Sequence, residues 1–452
     1  MTMDLLRLAF KTLRLAIIRV GVGWMFALLT FNFNRVAIYE LGALAIVVTS
    51  LIGLHHFISF FQVYWGRLAD QRPFFGYRRT PYILGSGLVA SLVFLTLPSL
   101  AIRLGERSPM AMLGTFGLLF IFGVAMAANG TSNNSLVAEV TSEKERSGVI
   151  AVVWTFIIIS SIASAGVAKQ IMPVYDPQQM QFLYNLTPFI VLISSLIGLI
   201  GMERRITPGD HAALMQQQRI EARSGNPFRV AWQLMGSNGQ VRSFFTFILL
   251  AIMGVFLQDA ILEVFGAEVF SMSVAETTSF QQSWGGGVLL GMLIVGVLSG
   301  MLPISKKTIA TTGGLGIALG LGMLALSSLS YQRALVLPGL VVMGVGTGLF
   351  NVGALSMTMD MTVEGFVGLY MGLWGMAQGL GNGLANVLSG VLHTGLIETE
   401  LLAPSTAYSL IFGFEALIMI TSVGVLRGVS VQEFKGLSRA DIGRAMAFDT
   451  AG

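Results

Sequence analysis

The residues of this 452-residue chain that could do chemistry lie almost entirely inside apolar runs. His55 and His56 sit near the middle of one run, where a neutral imidazole can ligate the metal of a tetrapyrrole, hydrogen-bond a carbonyl or carry a proton. A histidine satisfied by packing is the plain alternative. Neighbouring helical positions point about 100° apart, so one pocket is expected to use one ring rather than both. Asn34, Arg35 and Glu40 close an earlier run, and Gln258, Asp259 and Glu263 close a later one. Asp259 and Glu263, four apart, are expected to share a helix face near the outer interface. Charges inside a span need a partner or a role. These serve either pairing between helices or a polar entrance or proton site; Glu139, Asp259, Glu263 and Glu415 would be the coupling acids of an ion-driven transporter. Asn129, Asn133 and Asn134, and likewise Gln378, Asn382 and Asn386, form polar stripes that suit cavity lining or helix-to-helix hydrogen bonding.

Other chemistries are excluded. With no cysteine there is no thiol nucleophile, iron–sulfur site or disulfide framework. No Walker A, HExxH or GxSxG motif is present, and the glycine patterns at Gly85 to Ala90 and Gly320 to Ala325 lie inside apolar helices rather than after a strand. No enzymatic activity is expected. A net charge of +4, without a basic cluster interleaved with aromatics, gives no reason to expect nucleic acid. The 24 methionines read as core filling.

The elements that must position these residues follow from composition. Hydrophobic residues make up 54% and charged residues 11%, which excludes a soluble globular domain, and the 54 glycines lie within apolar runs as close-packed membrane helices require. A membrane span needs about 20 apolar residues. Twelve such stretches are expected, at 19 to 38, 43 to 65, 81 to 102, 110 to 138, 148 to 170, 182 to 201, 243 to 264, 281 to 302, 308 to 329, 334 to 358, 365 to 392 and 405 to 427. Of the 27 Lys and Arg, only Arg35, Arg103, Arg107, Lys169 and Arg333 then avoid one face, so both termini are expected to be cytoplasmic. Residues 1–18 read as a retained interfacial amphipathic helix, and 203–242 as a cytoplasmic linker in which Asp210 caps a short helix reaching Arg223. Residues 428–452 are a cytoplasmic tail. The expected fold is all-α and polytopic: two six-helix bundles, 19–202 and 243–427, in the arrangement of major facilitator superfamily transporters, whose halves are repeats.

Local duplication supports this. Gly148 and Trp154 between spans four and five match Gly368 and Trp374 between spans ten and eleven, and Glu139 falls within one residue of register with Asp360. Gly66, Asp70, Gly76, Arg78 and Arg79 resemble the superfamily's cytoplasmic signature, with a lengthened loop before Gly76. The second-half counterpart, Gly300 to Lys307, is degenerate.

Several blocks are more specific. Asn34-Arg35 through Glu40-Leu41-Gly42, Gln258-Asp259 through Phe270, Gly286 to Met292, Gly372 to Gln378 and Phe75 to Ile83 together resemble the PucC/LhaA family of bacteriochlorophyll delivery proteins. The resemblance spans about residues 20 to 390. It implies a membrane assembly factor that supplies (bacterio)chlorophyll to light-harvesting or photosystem subunits in a thylakoid or bacterial inner membrane. An ion-coupled transporter of a small solute and a structural subunit of a photosynthetic complex are the alternatives. Val264 stands where the family pattern has proline, and Ser283-Trp284-Gly285 where many members carry a histidine. A pigment magnesium would then need another ligand, His55 or His56, with Asn129, Asn133, Gln378 and Asn382 as further pigment-binding candidates. The glycines of spans ten and eleven, from Gly344 to Gly383, would either let helices touch or leave a flat slot.

Overall fold

The computed structural model describes residues 3–58, 62–207, 209, 235–236, 238–301, 304–362 and 367–435. The helix expected from Asp210 to Arg223 and most of the tail lie outside them.

All long elements are helical. α1 (Met3–Ile17) leads into α2 (Val20–Ala27), which continues through two π-helical stretches, Leu28–Phe33 and Val36–Glu40. Then come α3 (Ala45–Phe57), α4 (Gln62–Gln71), α5 (Thr80–Phe94), α6 (Leu97–Gly105), α7 (Pro109–Val140), α8 (Glu143–Ile171) and α9 (Pro177–Leu199). The second series is α10 (Gly239–Phe256), a 3-10 turn at Gln258–Ala260, α11 (Leu262–Phe270), α12 (Val274–Met301), α13 (Lys306–Ser330), α14 (Val336–Asp360), α15 (Val367–His393), α16 (Pro404–Arg427) and α17 (Val431–Lys435). Among the described residues nine helical segments are long and apolar enough to cross a membrane, and Ala45–Phe57 is a shorter apolar helix. α12 and α15 adjoin undescribed residues and fall outside that count.

Local chemistry sets the boundaries. Ser108, Asp176, Asn238 and Ser305 each accept a backbone N–H in the first turn that follows, and Pro109 and Pro177 occupy starting positions where no N–H is needed. Ser142 and Glu145 form a capping box. Pro98 follows the break between α5 and α6, so the expected third span is two helices.

Buried residues form two groups. One core holds side chains from Val241 to Phe434, with Phe244 edge-on to Trp374 at 4.8 Å. The other runs from Trp24 to Val191, extended by a cluster around Leu15, Ile83 and Val153, and it also takes Val264 and Val274 from the second series. Two seams join the groups. At one, Gly383 of α15 lies under the Phe57 ring and Gly53 of α3 under Asn386; at the other, Gly285 of α12 faces Ile162 of α8.

The ends differ. At one, Lys307 donates to the Arg427 and Val429 carbonyls (2.8 and 2.9 Å). Toward the opposite end Arg35 donates to the Met272 carbonyl (2.8 Å), Ala275 to the Pro173 carbonyl (3.0 Å), Ala45 to Glu398 (2.7 Å), and Ile46 to Thr394 (3.1 Å). Gln281 reaches Ser161 at 2.7 Å. These bonds fasten the two groups together at the far end.

Candidate functional site

His55 lies in the last turn of α3, half-buried beside α7, where Gly123 clears space against its backbone. Its Nδ1 is 2.5 Å from the Ile52 carbonyl. A carbonyl only accepts, so the proton sits on Nδ1 and Nε2 presents a lone pair, the tautomer a metal-ligating imidazole adopts. Phe122 packs edge-on at 5.5 Å. The expected divergence of the two histidines is corrected: their ring centroids are 3.8 Å apart. Side-chain torsions fold the rings together although the backbone directions diverge, so both belong to one patch.

The acids of the seventh apolar run do not share a face. The α-helix ends at Phe256 and restarts at Leu262, and the intervening 3-10 turn re-aims each side chain. Asp259 accepts from Gln258 Nε2 (3.0 Å), while the Gln258 amide donates to Glu415 from α16 (3.1 Å). These three form a buried polar knot inside the C-terminal core. Glu263 points instead to the seam, where it lines a small cavity with Asn32 and Thr278. Arg35, 1% exposed, pairs with Glu40 five residues on.

Glu139 belongs to an ion-pair cluster with Asp70, Arg78 and Arg79. Its carboxylate meets Arg79 at 2.8 Å and Arg78 at 3.1 Å, and Asp70 meets the same two guanidinium groups at 2.5 and 3.3 Å. Gly76, at φ 79°, makes the turn that delivers them. Gly66 lies in α4. Asp360 at the end of α14 pairs with Lys306 at the start of α13 (2.8 Å), and Glu139 at the end of α7 pairs with the residues before α5. The degenerate second signature therefore keeps an ion pair. Trp154 and Trp374 differ, being 53% and 1% exposed.

The amide stripes divide. Asn129 is spent, donating to the Ile83 carbonyl (3.0 Å) and accepting from the buried Arg19 (3.4 Å). Asn133 is fully buried with neither amide atom hydrogen-bonded. Asn382 and Asn386 donate to carbonyls one turn back on α15, and Gln378 is exposed. Of the glycines offered as a slot, Gly344, Gly346 and Gly348 are closed against α12 and α13 backbone, whereas Gly372 and Gly375 face open space.

With this geometry in place, comparison with known proteins is decisive. The family profile described as PUCC protein matches residues 32–434. The chain belongs to the PUCC family. This PUCC chain is 28% identical over 419 residues to the bacteriochlorophyll synthase 44.5 kDa chain of Rhodobacter capsulatus, covering 92% of the chain and 94% of that protein. It is 27% identical over 362 residues to protein PucC of Rhodovulum sulfidophilum, covering 77% of each. Among solved structures it resembles a POT family transporter in complex with a thioalcohol-conjugated peptide (TM-score 0.66, 12% identity, 94% of this chain and 96% of that one). A D-xylose–proton symporter is similar (TM-score 0.66, 14% identity, 91% and 97%). The fold of the PUCC chain is thus all-α, polytopic and like that of major facilitator transporters. Among its described residues no group of three or more His, Cys, Asp or Glu could hold a metal ion.

Sequence reasoning missed one cluster of the PUCC chain. His393, 1% exposed, lies 3.1 Å from Glu268 and 3.5 Å from Glu398, and Tyr408 donates to Glu268 at 2.9 Å. Glu398 in turn holds the first amide of α3. The available signal was Glu268, a charge five residues beyond Glu263 on an apolar segment.

Proposed function

We propose that this chain is an integral membrane assembly factor that binds (bacterio)chlorophyll as cargo and delivers it to light-harvesting or photosystem subunits. It does so as twelve spans in two six-helix bundles, 19–202 and 243–427, in a bacterial inner or thylakoid membrane, with residues 1–18 on the interface and linker and termini cytoplasmic. The observation that carries the reading is the family match over residues 32–434, with one relative whose name ties it to bacteriochlorophyll.

The residues suit the cargo. A chlorophyll magnesium takes one axial donor, and His55 offers a neutral Nε2 oriented by its own hydrogen bond, on an element at the seam between the groups. The His56 imidazole and the apolar Phe122 ring supply flat faces beside it. The open face of α15 at Gly372, Gly375 and Gln378 suits a planar ring or a partner helix better than the closed glycines of α14 do.

Pigment retention after gentle solubilisation tests this. His55→Leu is expected to lose most of the red tetrapyrrole absorbance per protein, with His56→Leu retaining more. Wild-type retention in both single variants and in the double variant refutes ligation at this patch.

A further inference from the structure

Between α1 and the ends of α7 and α9 lies a cavity of about 600 Å³, the size of an ordinary ligand pocket. Its wall carries four cations, Lys11, Arg14, Arg78 and Arg204, and two carboxylates, Glu139 and Glu203. The carboxylates are committed elsewhere. Glu139 pairs with Arg78 and Arg79 (3.1 and 2.8 Å), and both oxygens of the buried Glu203 accept the amides that open α5. Arg14 donates to the Gly198 carbonyl (3.2 Å) and to that of Ile200, neutral acceptors that fix its position at the end of α9 without cancelling its charge. Lys11 and Arg204 have no hydrogen-bond or ion-pair partner among the described residues. Lys11 acts on Glu145 through space, but that carboxylate already accepts the Ser142 amide (3.1 Å). The cavity therefore keeps an excess of positive charge, with two cations free to turn to a ligand.

The helices that form the cavity are apolar beside it. On α1, Leu6, Phe10 and Leu13 are exposed at helical spacing, and Phe10 also lines the cavity. On α9, Ile193 and Ile197 are exposed on one face, and the exposed Ile200 directly precedes the cavity-lining Gly201. An amphipathic helix on a membrane puts such a stripe among acyl chains and its basic residues among headgroups. A soluble anion would use the cations and leave both stripes unused. A phospholipid uses both, with its phosphate among the cations and its chains along the stripes.

We propose that this cavity binds the headgroup of one anionic phospholipid, with Lys11 and Arg204 meeting the phosphate and the fixed Arg14 adding positive field. The bound lipid then ties α1 to the loop that follows α9. The inference rests on the interfacial placement of residues 1–18 in the reading above, and it is independent of pigment binding.

Native mass spectrometry of the full chain in neutral detergent, offered phosphatidylglycerol and phosphatidylcholine of matched chains in equal amount, reads the site. Wild type is expected to retain one phosphatidylglycerol in preference to phosphatidylcholine. Lys11→Gln combined with Arg204→Gln is expected to weaken that retention by roughly tenfold or more. Arg242→Gln combined with Lys435→Gln removes the same charge from exposed residues outside the cavity and should leave it intact. Equal retention of the two lipids by wild type, or undiminished phosphatidylglycerol on the folded Lys11→Gln, Arg204→Gln variant, would overturn the proposal. Glycerol phosphate binding as tightly as phosphatidylglycerol would overturn the lipid assignment in favour of a soluble phosphate. The placement of α1 is read separately by a spin label on Leu6→Cys in nanodiscs, the chain having no cysteine of its own. Collision with lipid-dissolved oxygen supports the placement, and collision with a water-soluble nickel complex alone overturns it and the proposal with it.

Discussion

Glu203, just beyond α9, caps a helix that begins more than a hundred residues earlier. Its carboxylate accepts the amides of Arg78 (2.7 Å), Arg79 (2.8 Å) and Thr80 (2.7 Å), the donors that open α5. Arg79, at the N-cap, makes no side-chain capping bond, so Glu203 replaces a local cap from a distance. Hydrogen bonds to a charged group contribute about 1.5–3 kcal/mol each, and a carboxylate at a helix N-terminus about 0.3–1 kcal/mol more. The three bonds share one carboxylate and the Arg78 amide can be rehydrated, so about two bonds' worth is lost on truncation. Glu203→Ala should cost about 3–6 kcal/mol. Glu203→Gln keeps a neutral acceptor for two of the amides and should cost about 1–2 kcal/mol. Reversible unfolding in mixed detergent micelles, followed by helical circular dichroism, measures both. The reasoning fails if Glu203→Ala lies within about 0.5 kcal/mol of wild type, the range of an uninvolved surface site, or if the two variants are equal.

Glycine closure in α14 gives a paired test: a Cβ at Gly346 would lie 2.5 Å from the Ile317 nitrogen, which cannot yield, whereas one at Gly372 meets nothing within 4 Å. Gly346→Ala should lose about 1–3 kcal/mol or more and lower membrane accumulation, and Gly372→Ala should accumulate as wild type. Glu276, ahead of the eighth apolar span, is drawn down to about 2 by the Arg333 guanidinium and the Ser273 amide. Its stabilisation is present above the ordinary glutamate range and is lost as pH falls from about 4.5 toward 2. Both side chains are about half exposed, so Glu276→Gln should change neutral-pH stability by less than about 1 kcal/mol. It should flatten the acid limb of a stability-against-pH curve, and an unchanged limb would contradict the pairing.

Apolar length made most of the helices legible, but the ion pairs of Glu139 and Asp360 were not, since Glu139 reads from the sequence as a coupling acid. Local interruptions were not legible. Neither the π-helical widening at Leu28 to Glu40 nor the 3-10 turn at Gln258 carries a proline or glycine to announce it, yet the turn decides that Asp259 faces Glu415 while Glu263 faces the seam. Long-range partners were equally hidden. Glu203 reads as the first residue of a polar linker, and the cluster brings Glu268 and Tyr408, from two separate helices, to the helix end that carries His393 and Glu398. The two histidines were found by residue type alone; their shared patch depends on side-chain torsions that spacing does not encode.

The central claim is that this polypeptide carries chlorophyll-type pigment to photosynthetic subunits. A visible absorption spectrum of the gently solubilised protein from a pigment-making host tests it most directly. Red-region tetrapyrrole bands in stoichiometric amount, with antenna or reaction-centre polypeptides co-eluting, are the predicted result. A colourless protein that elutes without such polypeptides from a host rich in both would contradict the claim.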